Sequence, residues 1–80
     1  MSEYELWERL NIVFRNVFDD ENILVNESTT SDDIEDWDSL EHINLVEAVE
    51  HEFDLRFKMK EVSGMKNVGE MAEIIFERGK

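Results

Sequence analysis

Cysteine is absent from the eighty residues, so the chain supplies neither a disulfide framework nor a thiolate of its own, a composition that suits a reducing cytoplasm. Glycine occurs only at Gly64, Gly69 and Gly79, too dispersed to build a phosphate-cradling loop. Positive charge is scarce as well: eight Lys and Arg against twenty-one Asp and Glu leave a net charge of -13. A surface of that sign disfavours nucleic acid and anionic membranes as partners and favours proteins with basic patches. No apolar run reaches the length of a membrane span, and nothing resembles a signal peptide, so a soluble cytoplasmic monomer is expected. What is present suffices for a core. Hydrophobic residues make up 41% of the chain and include five Phe and two Trp. Eighty residues form one small domain, 1–80, burying about 60–65% of the surface its unfolded chain exposes. A deep catalytic cleft is hard to build at that size.

Apolar spacing predicts an all-α chain. Ser2 and Glu5 read as a capping-box pair opening a first helix, whose apolar arc is Leu6, Leu10, Val13, Phe14, Val17 and Phe18, with Trp7 at its edge. Arg9, Arg15 and Asn16 fall on the opposite side. Asp19, Asp20 and Glu21 oppose the helix dipole and end the helix near Phe18. A long loop follows to Asp38, pinned by Ile23, Leu24, Val25, Ile34 and Trp37, with Ser28 to Asp33 as its exposed part. A second helix is expected from Ser39 to about Phe53, capped by Asp38 with Glu41 completing the box. Leu55 to Lys60 alternates apolar and basic residues but has no partner strand, so it reads as an extended link into a short helix over Met59–Ser63, stopped by Gly64. Asn67 and Glu70 open a last helix with Val68, Met71, Ala72, Ile75 and Phe76 on one side. Three main helices and one short one make a small four-helix bundle.

The second helix carries the informative irregularity. Leu45, Val46, Val49 and Phe53 form its buried arc, whereas Leu40 and Ile43 project among Glu47, Glu50 and His51. These two either contact the preceding loop or form the apolar centre of an acid-rimmed docking surface. Ser39, at the first helical position, has its backbone fixed by the cap and its hydroxyl in solvent beside unpaired N–H groups that favour an anion. Catalysis by Ser39 with His42 is unsupported, because no third group orients the base and no oxyanion hole or nucleophile elbow is present. His42 reads as a partly buried structural residue in preference to a contact for a bound group. No metal is implied. His51-Glu52 lacks a second ligand because Leu55 stands four residues on, and the acids Asp32, Asp33, Asp36 and Asp38 lack the glycine that a calcium loop requires.

Asp38-Ser39-Leu40 and the helix that follows, Leu40 to Phe53, resemble the Asp-Ser-Leu attachment motif and motif helix of the acyl carrier protein family, the discrete carriers of fatty acid, polyketide and related pathways. The likeness extends over nearly the whole chain: first helix, long loop, motif helix, short helix, last helix. It implies a carrier and not an enzyme. Ser39 would bear a 4'-phosphopantetheine arm, added from coenzyme A by a phosphopantetheinyl transferase, with Asp38 beside it and acyl groups held as thioesters on the arm's thiol. Leu40, Glu41, Ile43, Glu47 and Glu50 would dock acyl-activating and acyl-transferring enzymes through their basic surfaces. An acyl chain could fold back among Leu45, Val46, Val49, Val62, Ala72 and Ile75, which read first as ordinary core. The other readings are a peptidyl or aminoacyl carrier of a non-ribosomal pathway, and an acidic helical adaptor without an arm.

Three features depart from the family pattern. Asp36 stands two residues before the motif aspartate, where glycine is frequent, and bulky Trp37 immediately precedes it. Arg56, Lys58, Lys60 and Lys66 gather near the short helix, where the family is commonly acidic. These bases could pair with the arm's phosphate, reject partners that prefer uniform acidity, or relieve self-repulsion.

Overall fold

The computed structural model describes every residue from Met1 to Lys80. Four helices follow in order: α1 Glu3–Val17, α2 Ser39–Phe53, α3 Met59–Gly64 and α4 Val68–Arg78. There are no strands, and the expected all-α bundle of three main helices and one short one is what forms. No helix is long and apolar enough to cross a membrane.

With glycine scarce, both long helices end on aspartate. Asp19 (φ 50°) and Asp54 (φ 53°) take the left-handed conformation that a short polar side chain tolerates. The amides that follow then turn back, Asp20 N–H onto the Arg15 carbonyl and Leu55 N–H onto that of Glu50, which satisfies carbonyls the helix end leaves free. The end of α1 therefore owes its position to a Schellman-type turn as well as to unfavourable charge. Gly64 plays no such part: it is the last residue of α3, and Met65 forms the cap.

At the helix starts, Ser2, Asp38 and Asn67 each accept the predicted N–H bond, from Glu5, Glu41 and Glu70. The reciprocal half of each box is missing. Glu5 turns to Arg9, Glu41 accepts from the Asn44 amide, and Glu70 accepts from the Lys66 backbone. Each carboxylate has a competing donor within reach, and the helix starts rest on one cap bond apiece.

Leu6, Leu10 and Phe14 of α1 pack with Leu45, Val49 and Phe53 of α2 and with Val68, Met71 and Ile75 of α4. Removing these side chains from water is the main stabilising term, at about 1.5–3 kcal/mol for each large one. Two expected core positions are not core: Phe76 is 54% exposed and Val17 half-buried. Conversely, Arg9 is not a solvated outlier. It lies 4.5 Å over the Phe53 ring and donates to the Glu52 carboxylate (2.8 Å) and carbonyl (2.7 Å), joining α1 to the end of α2.

The loop 19–38 is secured largely by polar bonds. Buried Asn11 accepts from Val25 N–H (2.6 Å) and donates to the Trp7 carbonyl (2.8 Å), while Arg15 Nε donates to the Ile23 carbonyl (2.7 Å). Val25 is buried, but Leu24, expected to pin the loop, is 74% exposed. The segment Ser28 to Asp33 is not uniformly exposed either: Thr29 is buried, and Ser31–Asp33 forms a short 3-10 turn. The reason lies at the start of α4, whose free N–H groups need acceptors. Val68 N–H bonds the Thr29 carbonyl (2.8 Å) and Gly69 N–H bonds that of Glu27 (3.0 Å). Close approach there requires glycine, since a Cβ on Gly69 would lie 2.7 Å from the Glu27 oxygen.

Candidate functional site

The site is assembled where the loop enters α2. Asp38 is extended (φ -105°, ψ -173°), and its Oδ1 accepts Glu41 N–H at 2.9 Å. The first helical bond, from His42 N–H to the Asp38 carbonyl, is also 2.9 Å. Ser39 is thus the first residue of α2, and it is exposed. The aspartate at position 36 needs no glycine, because the only residues with positive φ are Asp19 and Asp54.

Trp37 turns inward. Its ring meets Phe14 edge-on at 5.4 Å and Phe18 at 6.0 Å, and it stacks on His42 at 5.9 Å. The indole Nε1–H donates to His42 Nδ1 (3.1 Å), and the other imidazole nitrogen, Nε2, lies 3.0 Å from the Val62 carbonyl. An indole N–H can only donate, so Nδ1 must accept and the proton must sit on Nε2, directed at Val62. The imidazole is half-buried with both nitrogens engaged. Neither is left to take a proton from Ser39, so general-base activation of the hydroxyl has no agent.

Beside Ser39 lies a cavity of about 470 Å³. Its lining is apolar at Trp37, Val62, Met65, Val68 and Met71 and polar at Ser31, Ser63, Lys66 and Asn67. Of the six residues expected to receive an acyl chain, only Val62 lines it. Leu45, Val49 and Ile75 are fully enclosed in the core, and Val46 and Ala72 are buried. Met65, Val68 and Met71 were missed as lining residues. Their apolar spacing reads equally well as core, and Val68 and Met71 are indeed buried core residues that also border the cavity.

On the outer side of α2, Leu40 is 67% and Ile43 57% exposed, so neither is covered by the preceding loop. Glu47 is exposed beside them, and Glu41 is half-buried. Glu50 is more committed: its Oε2 accepts Phe57 N–H at 2.8 Å, tying α2 to the link before α3. Arg56, Lys58, Lys60 and Lys66 are all exposed and form no ion pair, and only Lys66 borders the cavity. No group of three or more His, Asp or Glu is arranged to hold a metal ion.

An exposed hydroxyl thus stands on a capped helix, next to a cavity lined by both apolar and polar side chains. No protein-family model matches the chain, and no curated protein matches it. A solved structure does. The fold is similar to the solution NMR structure of a holo acyl carrier protein from Geobacter metallireducens, with a TM-score of 0.84 and 36% sequence identity, over 90% of this chain and 83% of that one. With this identity spread over nearly the whole fold, the chain belongs to the acyl carrier protein family.

Proposed function

We propose that residues 1–80 form one cytoplasmic carrier domain in which Ser39 bears a covalent 4'-phosphopantetheine arm. The observation that carries the assignment is the exposure of Ser39 at the capped start of α2, beside the cavity. When attached, the arm supplies the thiol on which acyl groups travel, in a chain that has no cysteine. The protein is a carrier and not an enzyme. Asp38 holds the turn that presents Ser39 to a phosphopantetheinyl transferase. Lys66, exposed at the cavity and free of ion pairs, offers a cation to the arm's phosphate. Leu40 and Ile43 form the apolar centre of the docking face, with Glu41, Glu47 and the edge residue Glu50 meeting basic enzyme surfaces. Charge complementarity of this kind speeds encounter and selects partners while leaving the carrier free to depart.

Incubation with coenzyme A and a broad-specificity phosphopantetheinyl transferase tests the reading. Wild type should gain one phosphopantetheine by intact mass, and Ser39→Ala none. No gain under conditions that load a known carrier contradicts the proposal, and a gain that persists in Ser39→Ala moves the arm elsewhere.

A further inference from the structure

Between α2 and α3 one side-chain hydrogen bond is made, from His42 to the Val62 carbonyl. His42, three residues beyond Ser39, spans the gap, with Trp37 Nε1–H holding one nitrogen (3.1 Å) and the Val62 carbonyl receiving the proton on the other (3.0 Å). The bridge fills needs on both sides. The Val62 carbonyl sits in the last turn of α3, where helix carbonyls lack partners within the helix, and the indole N–H requires an acceptor once Trp37 packs on Phe14 and Phe18. His42 and Val62 line the cavity beside Ser39 together with the buried Val68 and Met71, whereas the fully enclosed Leu45, Val49 and Ile75 line no part of it.

We propose that Trp37 and His42 form a gate across the α2–α3 gap that confines cargo to the outer cavity, making them specificity residues for short acyl groups. The proposal rests on the reading of Ser39 as the arm's attachment point. A long acyl chain that passes from the cavity between α2 and α3 toward Leu45, Val49 and Ile75 breaks the His42–Val62 bond and leaves a partly buried imidazole N–H and the helix-terminal carbonyl unpaired. A two- to four-carbon group stays among Val62, Met65 and Met71 without disturbing the bridge.

The test loads wild type, His42→Ala and His42→Gln with acetyl-, butanoyl- or octanoyl-pantetheine arms and verifies each load by intact mass. Methyl NMR shifts of Val46, Val49 and Ile75 are then recorded, along with the rate at which hydroxylamine cleaves the thioester. In wild type the three acyl groups should give the same interior methyl shifts and cleavage rates within twofold. His42→Ala should let octanoyl alone move those methyls and slow its cleavage severalfold. His42→Gln, whose amide nitrogen can still donate to Val62, should restore wild-type behaviour and separates the bond from the bulk of the ring. Octanoyl shifts at Val49 and Ile75 in wild type would overturn the gate, as would octanoyl behaving identically in wild type and His42→Ala. Failure of wild type to acquire any arm would instead defeat the carrier reading itself. Should His42→Ala not fold, Trp37→Phe, which removes the indole donor and keeps the ring packing, should give the same octanoyl shifts in weaker form, and their absence would overturn the proposal.

Discussion

Loop 19–38 has almost no regular structure and is firmly held, whereas α3 is a regular helix that buries no residue at all. The loop hangs on buried Asn11, on Arg15 and on the start of α4, with Val25 and Thr29 enclosed. The short helix is tied by its Val62 carbonyl to His42 and by Glu61 to Arg78 (2.6 Å), both partly exposed to water. Secondary structure and anchoring are separate properties, and anchoring follows burial and satisfied polar groups. Ser39 stands where the anchored loop enters α2 and lines the cavity that Val62 and Ser63 of the less buried α3 also line.

The largest expected effect comes from releasing the loop. Asn11→Ala strands the buried Val25 N–H and should cost about 2–3 kcal/mol, read as a lower urea midpoint with an unchanged slope. A loss near zero would mean that water takes over the bond and that the loop is held by Val25 alone. Next is Gly69→Ala, which drives a Cβ against the Glu27 carbonyl. Overpacking against backbone should cost about 1–3 kcal/mol, with amide exchange accelerating at residues 27–29 before the core.

These two positions also mark what was legible in the sequence. The helices, their order and the Asp38–Ser39 start could be read because apolar spacing and cap residues are local signals. The fixing of the loop could not. Asn11 is one polar residue on an apolar arc, and its bond to Val25 joins residues fourteen apart in sequence. Gly69 looks like a poor helix residue until the Glu27 carbonyl is set against it. At the site, Leu40 and Ile43 stood out because they break the wheel. The Trp37–His42–Val62 bridge did not, because it depends on where α3 lies, and α3 has no apolar face strong enough to predict its seat. Glu50 was legible as an acid but not as the acceptor for Phe57.

Weakening α3 should leave global stability nearly unchanged. The Glu61 carboxyl is held below the usual carboxylate range, first by the Lys58 backbone N–H and then by Arg78. A depressed folded-state value means that the contribution is present above the ordinary carboxylate pKa and is lost as pH falls through the folded value. Amide exchange at Val62 and Ser63, corrected for its intrinsic pH dependence, should therefore rise selectively on acidification below the ordinary glutamate range. Glu61→Gln should raise it at neutral pH and flatten the response. Uniform acceleration across α1 and α3 would erase the distinction between the two regions. The smallest effect on stability belongs to Ile43→Ala, within about 0.5 kcal/mol of wild type as for other surface changes, together with slower acyl transfer from partner enzymes. Marked unfolding with normal transfer would return Ile43 to a structural role.

The attachment point is the central claim, and locating the modification tests it most directly. Protein co-produced with a phosphopantetheinyl transferase should, on digestion and tandem mass spectrometry, carry phosphopantetheine on Ser39 and leave Ser2, Ser28, Ser31 and Ser63 bare. An unmodified Ser39, or an arm found on another serine, contradicts the account.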